Sequence, residues 1–294
     1  MKNIQLLASL LFLIATSCQK TTKPVTPEPA KGLFSTVPEK FNVQPGSMDE
    51  ASGMVESRTI DGHLWVQEDG GNPSRINLVS SDGKLIKRIS LPVSNRDWED
   101  LGVGPGPENG VSYLYMADIG DNDAGYGTYY IYRFAEPKNA DATVTTVDKI
   151  AFKYPDGARD AETVLIDPAT KDIFIVSKRE TKARLYKIPY PQSTTETMQA
   201  KYLGELPIYA PTGGSVSVDG AEVMIRTYLD VNYWHRSEGQ SMEDLLLKNP
   251  PKTLKIEMEP QGESVALSKS GSGFYTLSEK ASAGSVTLNF YKRL

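Results

Sequence analysis

The sequence predicts an all-β protein, a five-bladed β-propeller built from four-stranded antiparallel blades. Three observations lead there. Five segments open alike: "SGMVES" (52–57), "EDLGVG" (99–104), "ETVLID" (162–167), "GSVSVD" (214–219) and "ESVALS" (263–268), with starts 47, 63, 52 and 49 residues apart. Each is followed by further short alternating or apolar runs separated by Gly, Asp and Pro turns, the mark of radial β repetition. The composition, with 24 Gly, 19 Pro and 15 Tyr, is that of a turn-rich β protein.

The first segment to place is a leader. Residues 1–17 hold a short cationic head and the apolar stretch "IQLLASLLFLIA", which is too short to span a bilayer and suits a signal-peptide core. It ends in "ATSC", which resembles a bacterial lipobox and implies cleavage before Cys18 and acylation of its thiol. Cys18 is the only cysteine, so neither an intramolecular disulfide nor a thiolate metal site is available. Residues 18–33 read as a lipidated cysteine and a Pro/Thr/Lys-rich tether. Position 19 is Gln, not the Asp of the inner-membrane retention signal, which points to the outer membrane as the address, on its periplasmic or surface face.

The propeller domain is expected over 34–294. Second strands are read at "HLWVQED", "YLYMADIGD", "DIFIVSKRE", "EVMIRTYLD" and "GFYTLSEK", and third strands at "RINLV", "YYIYRF", "RLYKI", "VNYWH" and "TLNFYKR". Four units continue into a fourth strand: "KLIKRISL", "KIAFKY", "AKYLGEL" and "TLKIEM". The fifth unit ends at Leu294 with three strands, so "EKFNVQP" (39–45) is expected to supply its outer strand and close the ring. One short helix is expected at "SMEDLLLKN" (241–249), capped by Ser241 with Glu243 and Asp244 in its first turn.

A net charge of −5 leaves no basic stripe for nucleic acid. The opening slot of the five units holds Ser52, Glu99, Glu162, Gly214 and Glu263. In a propeller the first strand of each blade lines the central channel, so three carboxylates converge on one axis. They must take up protons, hold water or share a cation. An oxygen-only donor set suits a hard cation, Ca²⁺ above the tighter octahedral Mg²⁺, while strand-end hydrogen bonding is the structural alternative.

"NRDWED" (95–100) and "ARDAET" (158–163) repeat an Arg-Asp-x-Glu core ahead of two slot glutamates. Arg96 and Arg159 either clamp acids on adjacent blades or offer a bidentate fork to a phosphate or carboxylate. Loops joining second to third strands add Asp118, Asp121, Lys178 and Arg226 as ligand-binding candidates, with Asp69, Asp123, Arg179, Asp230, Lys280, Tyr126 and Tyr228 on the same face. "DNDAG" lacks the glutamate that would complete an EF-hand. Catalytic motifs are scarce, with no Gly-x-Ser-x-Gly elbow, HExxH or P-loop, and only His63 and His235 as imidazoles, so no catalytic residue is assigned. Trp98 is the tryptophan best placed to stack on a sugar.

In these residues the chain resembles several propeller families. A small or acidic residue before each inner strand is similar to the SdiA-regulated and esterase-like phytase families. One Glu or Ser per blade around an axial calcium resembles the five-bladed calcium-activated nucleotidases (apyrases). The "WED" (98–100) and "DIGDN" (118–122) blocks resemble bacterial propellers sometimes called WD-repeat-like, a match that implies a fold and no chemistry. Position by position, the resemblance implies calcium contacts at Ser52, Glu99, Glu162 and Glu263. Blade four departs with Gly214, so Ser215 or water would serve, and Glu50 replaces Ser52 if blade one is shifted by two residues.

Two functions are expected to compete. One is a monomeric, calcium-stabilised module on a lipid anchor that binds a small molecule or protein on the propeller face. The other is a calcium-dependent phosphoester hydrolase.

Overall fold

The computed structural model describes residues 33–249 and 251–294; the signal peptide, Cys18 and nearly all of the tether lie outside them. Five sheets are present, each an antiparallel blade of four consecutive strands except where noted. β1 (Glu39–Asn42) precedes blade one, which comprises β2 (Ala51–Glu56), β3 (His63–Glu68), β4 (Arg75–Ser80) and β5 (Leu85–Ser90). Blade two holds β6 (Trp98–Pro105), β7 (Ser112–Asp118), β8 (Tyr129–Ala135) and β9 (Asp148–Lys153). Blade three holds β10 (Ala161–Ile166), β11 (Ile173–Ser177), β12 (Arg184–Ile188) and, after the two-residue β13 (Met198–Gln199), β14 (Lys201–Glu205). Blade four holds β15 (Pro211–Val216), β16 (Glu222–Thr227), β17 (Asp230–His235), α1 (Met242–Lys248) and β18 (Lys252–Lys255). Blade five holds β19 (Gln261–Leu267), β20 (Gly273–Glu279) and β21 (Thr287–Lys292).

β1 pairs antiparallel with β21, Glu39 opposite Phe290 and Asn42 opposite Thr287, so the start of the domain completes its last blade as expected. The one pairing outside the expected scheme is β13, which adds to blade two in parallel with β9, Met198 opposite Phe152. The helix also forms as expected: the Ser241 hydroxyl accepts from the Asp244 N–H at 3.0 Å, and Leu245 and Leu246 are buried.

The core lies between the blades. Five buried apolar clusters occur, one at each blade interface, and the strands in them alternate faces so that each blade serves two neighbours. Inner strands are therefore buried on both sides whatever their composition, as in AETVLI of β10 and PTGGSV of β15, where every residue is buried. Trp65 and Trp98 are fully buried in the interface of blades one and two and Trp234 in that of three and four, so the sugar-stacking role considered for Trp98 is corrected to core packing.

Candidate functional site: an acidic well at the propeller axis

The repeated slot is a β-bulge. Each innermost strand carries one register shift near its start: between Ala51 and Met54, Trp98 and Asp100, Ala161 and Thr163, Pro211 and Gly213, and Gly262 and Ser264. A bulge re-aims the extra side chain, here towards the axis. The bulge residues are Ser52, Glu99, Glu162, Thr212 and Glu263. Blade four thus contributes Thr212, not Gly214 with Ser215 as substitute; the alignment was two residues off because "TGGS" offers no acid to anchor it.

The two hydroxyls of this ring tie blades together. Ser52 Oγ donates to the Glu99 carbonyl, and Thr212 Oγ1 donates to the Gly262 carbonyl at 3.0 Å. Ser52 is therefore an inter-blade bridge whose hydroxyl proton is spent on the Glu99 carbonyl. Ser215 does the same work below, accepting from the Leu267 N–H at 2.9 Å. The strongest tie is Asp100, a residue that sequence reasoning passed over. Its Oδ2 accepts from Val164 N–H of blade three at 2.8 Å and Gly214 N–H of blade four at 3.1 Å, while Oδ1 accepts from Leu101 N–H at 2.8 Å.

The three glutamates face a well at the mouth of the channel. A second ring surrounds them. The register makes Asp69, Ile119, Lys178, Tyr228 and Glu279 equivalent, each one residue beyond the partner of the position before the bulge. Asp97 completes the acid set from the loop entering blade two, and Gly70 and Gly120 flank it. A Cβ at Gly120 would fall 2.5 Å from Asp97 Oδ2, and closer still to Glu99 Oε1, so only glycine lets these carboxylates lie against the loop.

Ligand oxygens of Asp69, Asp97 and Glu99 lie within 4.8 Å of one another, as do those of Glu99, Asp160 and Glu162. Two oxygens that each sit about 2.4 Å from one Ca²⁺ are at most about 4.8 Å apart, so both trios match the ion's size. They differ in their company. Glu162 contacts Lys178 Nζ, and Asp160 contacts Arg179 Nε. Among the described residues no Lys or Arg pairs with Asp69, Asp97 or Glu99.

Crowding of acids shows in their protonation. Burial, then the charges of Glu162, Asp69 and Asp97, holds the Glu99 carboxyl well above the usual range. Burial and neighbouring acids push Asp69 up to about 6 and Glu279 up to about 9. Burial raises Glu162 to about 8 against the pull of Lys178. Burial draws the Lys178 ammonium down, but its contact with Glu162 outweighs that and raises it, so the ammonium keeps its proton. Beside Asp69, Glu263 Oε2 and Glu279 Oε1 are buried in residues only 4% and 5% exposed and receive no donor from another residue; the two carboxyls lean on one another, which helps hold Glu279 high. An all-oxygen trio with orphaned carboxylate oxygens next to it fits a hard cation.

The remaining ligand-binding candidates are structural. Arg96 donates to the Thr128 carbonyl at 3.0 Å, pairs with Asp118 at 3.4 Å and lies 3.9 Å from the Tyr126 ring centroid. Asp118 accepts from Asp97 N–H, and Asp121 accepts from Gly125 N–H, Tyr126 N–H and Tyr129 Oη, closing its own loop. Arg159 holds Asp156 and Tyr186. Arg226 is fully buried, paired with Glu259 at 2.7 Å and donating to the Ser264 carbonyl; it passes through the space where a Gly262 side chain would stand. The two arginines of the echo are thus packed against their surroundings while its aspartates, Asp97 and Asp160, face the well, and of the six candidates only Lys178 joins them there.

Three loops of this face carry alanine in the left-handed region, Ala124 (φ 50°), Ala210 (φ 49°) and Ala281 (φ 46°). Each is strained by roughly 1–2 kcal/mol. Tyr209, Leu229 and Met258 project from loops of blades four and five on the same side, 68%, 71% and 86% exposed.

No protein-family model and no curated protein sequence matches the chain. Solved structures similar to it include hydrazine synthase of Kuenenia stuttgartiensis (14% identity, 81% of this chain and 71% of that one, TM-score 0.41). A chain of a nidogen/laminin complex is also similar (10% identity, 84% of each chain, TM-score 0.47), as is the Dos1 propeller (9% identity, 81% and 58%, TM-score 0.36). No chemistry carries over from these likenesses.

Proposed function

We propose that the protein is a binding module held to the outer membrane through acylated Cys18, with a divalent cation, Ca²⁺ before Mg²⁺, in the well at Asp69, Asp97 and Glu99. One observation carries this reading: three converging carboxylates with no cationic partner, beside orphaned oxygens of Glu263 and Glu279. Bound there, the cation neutralises the well and ties the β3–β4 loop of blade one to the entrance of blade two. Glu99 stays in the expected ligand set, Glu263 adjoins it, and Glu162 leaves it for Lys178. The contact surface for a small molecule or protein is the same face, where Tyr209, Leu229 and Met258 supply exposed apolar area next to acid. Among the described residues no helix is long and apolar enough to cross a membrane.

Phosphoester hydrolysis is the weaker reading. A phosphate needs cationic donors near the metal, and Arg96, Arg159 and Arg226 are all engaged elsewhere.

The test is thermal unfolding with calcium, magnesium or chelator. Calcium at 100 times its Kd stabilises the native state by about 2.7 kcal/mol, which at roughly 2–4 °C per kcal/mol for a domain this size is a rise of about 5–11 °C. Asp97→Asn should abolish the rise. Identical melting in calcium and chelator would refute the cation.

A further inference from the structure

We infer that Lys178 is a built-in ammonium that fills one of two like carboxylate sites in the well, so that the face takes a single divalent cation, at the other. The inference rests on the cation reading above and adds the residue that sets its stoichiometry and place.

The two trios share Glu99, and in each the carboxylate oxygens lie within 4.8 Å of one another. What separates them is the residue one position beyond the partner of the pre-bulge residue. Blade one places Asp69 there and blade five Glu279, both acids facing the well; blade three places Lys178. Lys178 Nζ contacts Glu162 Oε1 and lies 5.2 Å from the Tyr228 ring centroid, in a side chain only 8% exposed. A carboxylate on one side and an aromatic face on the other are the surroundings that hold an alkylammonium. Its backbone is fixed as well, Lys178 N–H donating to the Asp160 carbonyl at 3.0 Å, as Asp69 N–H does to the Glu50 carbonyl at 2.9 Å in blade one. Asp160 is satisfied by Arg179 and by Asp121 N–H at 2.8 Å. Arg179 is half exposed and free to swing away; Lys178 is not.

The Glu99–Asp160–Glu162 trio is therefore already neutralised from within the chain. An incoming dication there would have to displace an ammonium that has nowhere wet to go, whereas at Asp69–Asp97–Glu99 it meets acid alone. The acids without a cationic partner also lie on that side: Glu263 Oε2 and Glu279 Oε1 are buried next to Asp69 with only each other for company, while Glu162 has Lys178. Lys178 thus decides how many cations the well accepts and between which blades.

The experiment is isothermal titration of calcium chloride into the chelator-stripped full chain, with circular dichroism to check folding. Wild type should bind one calcium per chain. Lys178→Met should bind two, and Lys178→Met combined with Glu162→Gln should return to one. Lys178→Gln, which keeps an N–H donor for Glu162, should also bind two and serves if the Met variant folds poorly. One calcium in both single variants, or two in wild type, overturns the role of Lys178 and leaves the cation reading standing. No calcium in wild type but one in Lys178→Gln overturns the cation reading while upholding Lys178 as the occupant of a cation site. None in any variant overturns both.

Discussion

Asp100 is the residue whose removal the fold should feel most, because it links three blades at the axis. Asp100→Ala deletes an acceptor for Leu101, Val164 and Gly214 N–H groups and leaves the two inter-blade donors in a site where Asp100 itself is 1% exposed. Burial raises the Asp100 carboxyl well above its usual range, which puts its hydrogen bonds in the neutral class of about 0.5–1.5 kcal/mol each, and an orphaned buried donor costs about 1–3 kcal/mol. Allowing for partial relaxation and water entry, the loss should be about 3–6 kcal/mol, a fall in melting temperature of roughly 6–24 °C at this domain size. Asp100→Asn has nearly the same shape but one carbonyl acceptor. Its amide must turn N–H towards N–H on one side, so it should fall between wild type and Ala. The assay is urea and thermal unfolding of all three proteins in chelator, which removes any cation contribution. An Ala variant within 2 °C of wild type, on the order of 1 kcal/mol or less, would refute the staple.

Three further outcomes are expected. In the metal-free protein, Asp69 and Glu279 hold protons when folded that they release when unfolded, since folding raises them to about 6 and about 9. Their contribution is complete below the unfolded values and is lost as pH rises through the folded ones, so the melting temperature should fall from pH 5 to 9, and calcium should flatten that fall; a rise without calcium would be contrary. Arg226→Met leaves the Glu259 carboxylate buried without its partner and should cost about 3–5 kcal/mol by denaturant unfolding, with Arg226→Met/Glu259→Met recovering much of it and the calcium response unchanged. Cys18→Ala should move the protein from the membrane fraction to the soluble periplasmic one, and unchanged fractionation would rule out the anchor.

The blade order was legible because a propeller repeats its physics: every inner strand is buried on both faces and every hairpin needs its turn residues. Even ring closure could be read, since a fifth unit one strand short implies a donor, and β1 is that donor. The acids of blades two, three and five were visible for the same reason. Position 212 was not, because a bulge residue is defined by register, and threonine beside two glycines carries no charge to mark it. Asp100 went unseen since an acid next to Glu99 reads as part of a solvated charge run, whereas the bulge puts the two on different errands. The roles of Arg96 and Arg226 depend on partners 22 to 38 residues away, and Arg159 adds Tyr186, 27 residues on, to its near neighbour Asp156; no local pattern reveals the distant partners. Lys178 was picked out as a loop cation, but its pairing with Glu162 follows from the register of β10 and β11.

The most direct measurement is a high-resolution crystal structure of the protein grown with calcium, with the ion identified by its anomalous signal. The expected result is one Ca²⁺ at about 2.3–2.6 Å from carboxylate oxygens of Asp69, Asp97 and Glu99, with Lys178 still on Glu162. An ion-free well, or an ion on Glu162 with Lys178 turned out to solvent, would contradict it.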